Sequence, residues 1–210
     1  MDVLGGVPMK NVLITCTETL FGKYLTEIFE REGYKVLSMD DFACAAADET
    51  KSLDFLVDTT DFTDPEDTFT LTDGINTEVI ERVYRRNVIA PMKTLETVLP
   101  FLDAGEGKRL FYVTGTRASI NGTRDISGYA YNMSKAGLHQ FLQMVGNKLG
   151  PSGYTFRVYD PMDGVVDAKS AAEGAFHYIT RRRGTENDDP RRDDENNLVI
   201  RDAEGRLHGW

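Results

Sequence analysis

Residues 11–29 read NVLITCTETLFGKYLTEIF. Within 11–15, Val12, Leu13 and Ile14 are apolar without alternation, which is what a strand covered on both faces of a sheet requires. From Leu20 the spacing changes: Leu20, Phe21, Tyr24, Leu25, Ile28 and Phe29 fall on one stripe of a helix. Gly33 then supplies a residue that takes the left-handed conformation ending a helix at no steric cost. A buried strand that turns directly into an amphipathic helix is the opening unit of an α/β fold.

The same alternation continues outward. A second strand is expected at 34–39, closing in Asp40-Asp41, then a short Ala-rich helix (FACAAADETK, 42–51) and a third strand at 53–57. Residues 58–74, DTTDFTDPEDTFTLTDG, form a polar, acidic connection. A long helix follows at 76–102, with Val79, Ile80, Val83, Val88, Met92, Leu95, Val98 and Leu99 on its buried stripe and a kink expected at Pro91. Strand four (109–113), a Gly/Thr/Ser/Asn-rich loop, a helix at 129–149, strand five (154–159) and a helix at 170–182 complete the repeat. Residues 184–197, GTENDDPRRDDENN, are expected to be a mobile charged loop. A strand-like LVIRD and a tail, AEGRLHGW, close the chain. The expectation is one domain over 1–210, a three-layer, doubly wound α/β structure around a mostly parallel sheet.

Composition limits the function. The 210 residues are 40% hydrophobic and 28% charged, with 24 Lys plus Arg against 34 Asp plus Glu, a formal charge of -10. An acidic surface repels nucleic acid and anionic membrane alike, so neither is expected as a partner. No apolar run approaches the roughly 18 residues that span a bilayer. The start, MDVLGGVPMKN, lacks the basic region and apolar core of a signal peptide, so a cytoplasmic protein is expected. Cys16 and Cys44 make no disulfide framework, and no His or Cys pair stands at metal-ligand spacing.

Two places carry chemistry. The turn Thr15-Cys16-Thr17-Glu18-Thr19-Leu20-Phe21-Gly22 leads a strand into a helix N-terminus, where free N–H groups favour a phosphate. Gly22 stands where a close backbone approach wants glycine, whereas Cys16 and Leu20 carry side chains into that space; a nucleotide site and a plain strand–helix corner both remain open. In Tyr131-Asn132-Met133-Ser134-Lys135, the phenol and the ammonium lie four apart and share a helix face. A cation there favours the phenolate and tunes the tyrosine for acid–base work. Asn87 sits inside the long helix near Pro91, where a kink frees a carbonyl to hold a water. His139, His177 and His208 have no motif and read as packing or surface residues; Asp163 and Asp167 read as turn residues.

These features, in this order, resemble the short-chain dehydrogenase/reductase family from about residue 10 to 182, and with it a Rossmann-like fold. IERVYRRNVIAPMKTLETVLPFL resembles the helix bearing the family's active-site Asn, here Asn87. GYAYNMSKAGLHQF resembles its Tyr-x-x-x-Lys helix, and RVYDPMDGVV its Pro-Gly turn, with Pro161 kept and Met162 in place of Gly. The resemblance implies an NAD(P)-dependent oxidoreductase interconverting a small carbonyl and an alcohol by hydride transfer. Tyr131 would be the proton donor. Lys135 would hold the nicotinamide ribose and lower the phenol pKa, and Asn87 would anchor a relaying water. It also implies a homodimer or homotetramer through the helices holding Asn87 and Tyr131.

The chain departs from the family pattern at several points. The glycine-rich turn T-G-x-x-x-G-x-G is represented by Thr15, Cys16, Leu20 and Gly22, and N-N-A-G by Asp58-Thr59-Thr60-Asp61. Only 58 − 40 = 18 residues separate Asp40 from Asp58, one strand–helix unit fewer than the family usually places there. The catalytic Ser falls near Ala118-Ser119 counting back from Tyr131, or on Gly115 counting from strand four, leaving Thr116 and Ser119 as candidate hydroxyls. The cofactor contacts implied are Thr15, Cys16, Leu20, Phe21, Gly22, Asp40, Asp58, Thr59, Thr60, Lys135 and Pro161. Asp40 suits ribose hydroxyls and so favours NAD over NADP, or, with Asp41, it caps the following helix. The departures leave a second reading: a member of the same fold with a degenerate cofactor site, acting as a binding or oligomer-partner subunit.

Overall fold

The computed structural model describes residues 9–45, 52–181 and 197–209. Seven strands form one sheet in the order β2-β1-β3-β4-β5-β6-β7: β1 (Asn11–Ile14), β2 (Lys35–Leu37), β3 (Phe55–Asp58), β4 (Arg109–Val113), β5 (Thr155–Asp160), β6 (Ile200–Asp202) and β7 (Leu207–His208). The first six run parallel and β7 is antiparallel to β6. The helices are α1 (Leu20–Arg31), α2 (Met39–Ala45), α3 (Thr77–Tyr84), α4 (Ala90–Asp103), α5 (Tyr129–Leu149) and α6 (Ala168–Thr180). The sheet is doubly wound as expected. Among the described residues β2 is an edge strand paired to β1, and β3 pairs on the other side of β1.

Strand side chains alternate between two cores. Leu13, Leu56, Leu110, Tyr112 and Val158 face α4 and α5 through Leu95, Val98, Leu102, Leu138 and Leu142. Val12, Ile14, Val57, Phe111 and Val113 face α1 and α6 through Leu25, Phe29, Ala175 and Ile179. Each such fully buried side chain contributes roughly 1.5–3 kcal/mol. Leu56, with no exposure in the central β3, is a position where truncation to Ala would cost about 2–5 kcal/mol through the cavity it leaves.

Several expectations change. The long helix is three segments, because Arg85–Ile89 form a π-helical turn between α3 and α4. Pro91 lacks the N–H that would bond the carbonyl of residue 87, and the widened turn accommodates this. The cap of α2 is Ser38, not Asp40 or Asp41: Asp41 accepts from the Ser38 N–H at 3.1 Å and from its hydroxyl at 2.6 Å, and Ser38 accepts from the Asp41 N–H at 3.1 Å. The tail contains β7, folded back by a turn in which Asp202 accepts the N–H groups of Glu204 and Arg206 at 3.0 and 2.9 Å. The charged stretch 184–197 lies outside the described residues except for Asn197. Among the described residues no helix is long and apolar enough to cross a membrane.

Candidate active site

The C-terminal ends of β1 and β3 flank the point where the strand order reverses, the place where open α/β sheets form a crevice. Their turns are stitched by side chains. Thr15 Oγ1 donates to Asp58 at 3.2 Å and accepts from the Thr59 N–H at 3.1 Å; the Cys16 N–H reaches Thr59 Oγ1 at 3.2 Å. Asp58 is buried, which raises its pKa, and its Oδ2 has no hydrogen-bond partner. Cys16 is half-buried, its thiol pushed up mainly by burial, as a small packing residue would be.

Thr19 caps α1, accepting the Gly22 N–H at 3.0 Å. A Cβ at Gly22 would lie 2.0 Å from the Cys16 carbonyl oxygen, so glycine is what lets the helix start against the turn. Leu20, 66% exposed, stands out from the turn rather than filling it. Phe21 stacks on Tyr159.

On α5, Tyr131 and Lys135 share a face, with the ammonium 5.8 Å from the phenol ring centroid. Lys135 is fully buried and donates to the carbonyls of Thr60 (2.7 Å) and Val113 (3.1 Å). Its third contact is Asp61 Oδ1 at 3.0 Å, and the Tyr131 hydroxyl donates to the same oxygen at 2.9 Å. The phenol pKa is therefore raised well above its ordinary value, first by burial and then by the Asp61 charge and hydrogen bond. This is opposite in direction to the lowering expected from Lys135 alone.

Asn87 is fully buried. Its side chain accepts the Phe62 N–H (2.9 Å) and donates to the Phe62 carbonyl (2.8 Å) and to Ser134 Oγ (3.0 Å). Ser134 in turn donates to the Tyr131 carbonyl at 2.8 Å. Asn87, the loop after β3 and the tyrosine helix are thus one polar unit.

Gly115 lies directly beside the tyrosine: a Cβ there would be 2.6 Å from the Tyr131 hydroxyl. The count from strand four therefore lands against the phenol. Thr116 follows it, its N–H donating to Asp160 at 2.6 Å. Ser119 is buried, and its Oγ accepts the Gly122 N–H at 3.1 Å. Asp160 also accepts the N–H of Met162 at 2.8 Å, and Met162 takes φ of 54°, in the left-handed region where a glycine is at ease. A cleft of about 280 Å³ runs from Leu20 and Phe21 past Thr59 and Asp61 to Val113 and Pro161. Asp40 is exposed in the first turn of α2.

Two carboxylates central to this arrangement escape a reading of the sequence. Asp61 was visible there only as a departure from N-N-A-G. Asp67 accepts the N–H groups of Ala130 (3.0 Å) and Tyr131 (2.8 Å), capping α5 from more than sixty residues away, with no local signal. Asp167 instead has a local signal, three residues before Ser170, whose N–H it accepts at 3.0 Å as the cap of α6.

The chain is similar to an uncharacterized oxidoreductase of Saccharomyces cerevisiae, 28% identical over 45% of this chain and 36% of that protein. It is also similar to the C-signal protein of Myxococcus xanthus, 30% identical over 38% of this chain and 48% of that one. The chain thus spans between about a third and a half of the length of these curated relatives. Among solved structures, a carbonyl reductase from Pseudomonas aeruginosa in complex with NADP superposes with a TM-score of 0.74 at 15% identity, over 96% of this chain and 100% of that one. That likeness shows the fold. The profile of the family described as short chain dehydrogenase matches residues 37–174, more than half of the chain, from the last residue of β2 through Asn87, Tyr131 and Lys135 into α6. The chain belongs to the short-chain dehydrogenase family.

Proposed function

We propose that the protein is an NAD(P)-dependent oxidoreductase that interconverts a small carbonyl compound and its alcohol. The observation that carries this is the Tyr131–Lys135 pair on one face of α5, tied to Asn87 and set at the crevice beside the β1 and β3 turns. The residues fit a nicotinamide nucleotide at the turn. Gly22 allows α1 to begin against Cys16, Leu20 is exposed rather than packed into the turn, and the cap at Thr19 satisfies Gly22, leaving the N–H groups of Leu20 and Phe21 for a diphosphate.

When bound, that nucleotide supplies or accepts the hydride. The chain does the rest. Tyr131 gives its proton to the carbonyl oxygen or takes it back, and Lys135 stabilises the phenolate left behind. Asn87 fixes the Phe62 loop through its side chain, and its own carbonyl, whose usual donor Pro91 lacks, holds a water. With glycine at 115, the hydroxyl of Thr116 is the better candidate to polarise a carbonyl, since Ser119 Oγ already serves Gly122. Exposed Asp40 favours ribose hydroxyls over a phosphate, and so NAD over NADP.

The outer face of α4 and α5 supports self-association. Val88, Met92, Leu95, Phe141 and Met144 line an apolar groove of about 680 Å³, with Met144 63% exposed. A homodimer buries it, and sedimentation at micromolar concentration tests this.

A second reading, a binding subunit without turnover, is favoured by Asp61 and by the missing hydroxyl at Gly115. Calorimetric titration with NADH and NADPH separates the two. Micromolar binding, tighter for NADH, supports the oxidoreductase; no heat from folded protein supports the binding subunit.

A further inference from the structure

The Tyr131 hydroxyl has one proton to donate and the Lys135 ammonium has three. The phenol proton and one ammonium proton go to Asp61 Oδ1, at 2.9 and 3.0 Å; the other two ammonium contacts are the carbonyls of Thr60 and Val113. No donor of the pair is left for a ligand. The two carbonyls belong to the main chain, Val113 closing β4 and Thr60 in the turn just after β3, so they cannot yield their places cheaply. Asp61 differs. It lines the cleft and its side chain is 27% exposed, whereas that of Lys135 has no exposure. The carboxylate therefore stands between the buried pair and any molecule in the cleft.

We propose that Asp61 is an internal clamp on Tyr131 and Lys135, occupying the donors that a ligand's hydroxyl groups require and released only when such a ligand takes its place. Resting on the nicotinamide reading, this makes Asp61 the residue that sets cofactor affinity, because the ribose hydroxyls must displace a charge-assisted contact before they bind. Together with burial, the larger cause, it keeps the phenol protonated in the free protein; the Asp160 charge acts in the same direction and Arg117 against it.

The test compares the full chain with its Asp61→Gly and Asp61→Asn variants in two readouts. The first needs no nucleotide. In Asp61→Gly one phenolate more than in wild type is expected below about pH 11, beyond the ordinary ionisation of the other tyrosines, and the Asp61→Gly/Tyr131→Phe double variant should lack that extra one. The second is calorimetric affinity for NADH and NADPH, expected to rise about tenfold in Asp61→Gly and less in Asp61→Asn, while the ligand-free unfolding midpoint falls. A merely structural residue would lower stability and affinity together. The phenolate appearing while no protein binds nucleotide keeps the clamp and removes the nicotinamide reading. No new phenolate, or, where wild type binds nucleotide, an affinity unchanged or weaker in a folded Asp61→Gly, overturns the clamp.

Discussion

The carboxylate of Asp67 accepts the backbone N–H of Tyr131 at 2.8 Å and, through its other oxygen, that of Ala130 at 3.0 Å. The acidic connection after β3 thus starts the helix that carries the candidate proton donor, and a charge at that end offsets the helix dipole. Asp67→Ala is expected to cost about 1–2 kcal/mol, read as a lower urea midpoint. Asp67→Asn, which retains an acceptor, should cost less. Equal midpoints in wild type and Asp67→Ala would show that α5 starts without this cap.

Gly22 is expected to tolerate no side chain. A methyl 2.0 Å from the Cys16 oxygen and 3.0 Å from Thr19 Oγ1 must push the start of α1 away from the turn. Gly22→Ala should lose about 2–3 kcal/mol of stability, along with any nucleotide affinity. Denaturant titration and calorimetry on one preparation check both; an Ala variant as stable as wild type would mean the approach is looser than described.

Gly115 and Tyr131 are expected to be coupled. Gly115→Ser places a Cβ 2.6 Å from the phenol oxygen and destabilises, whereas in a Tyr131→Phe background that oxygen is gone. The double-mutant cycle should return about 1 kcal/mol of interaction. Additive single effects would place the residue-115 side chain away from the ring.

His139 gives the fold an acid-sensitive point. Its ring is buried and bonded to the Thr114 hydroxyl, and its pKa is lowered to about 3, first by burial and then by Lys135. A base whose folded pKa lies below its unfolded value takes up more protons when unfolded. Its stability contribution is full above the ordinary histidine value of about 6.5 and falls as pH drops below it toward 3. Between pH 7 and pH 5 the loss from this group is expected to approach about 2 kcal/mol. His139→Gln should show a smaller loss over the same interval by urea unfolding, and an equal loss would assign the acid sensitivity elsewhere.

How much of this was legible depends on how local the cause is. The limits of β4 and α5 follow directly from an apolar run at 110–113 behind Arg109 and from Gly128 and Gly150 flanking 129–149. The pair Tyr131/Lys135 and the helical Asn87 were visible for the same reason, since their relation is a spacing. Strand β7 was not visible, because two residues held by the Asp202 turn leave no apolar pattern. The α2 cap was misplaced because Asp40 and Asp41 are both plausible caps, and only the bonds between Ser38 and Asp41 decide. Asp61 and Asp67 act on α5 across 70 and 64 residues, a relation the fold creates and no spacing announces.

The most direct test of the central claim is consumption of reduced nicotinamide absorbance, with NADH and with NADPH, across a panel of small aldehydes and ketones, in wild type and Tyr131→Phe. Wild type is expected to reduce at least one carbonyl. Tyr131→Phe should lose about 10²–10⁴-fold in rate while its calorimetric cofactor affinity stays within about twofold. A variant that keeps the wild-type rate, or a wild type that binds nucleotide yet reduces nothing, would contradict it.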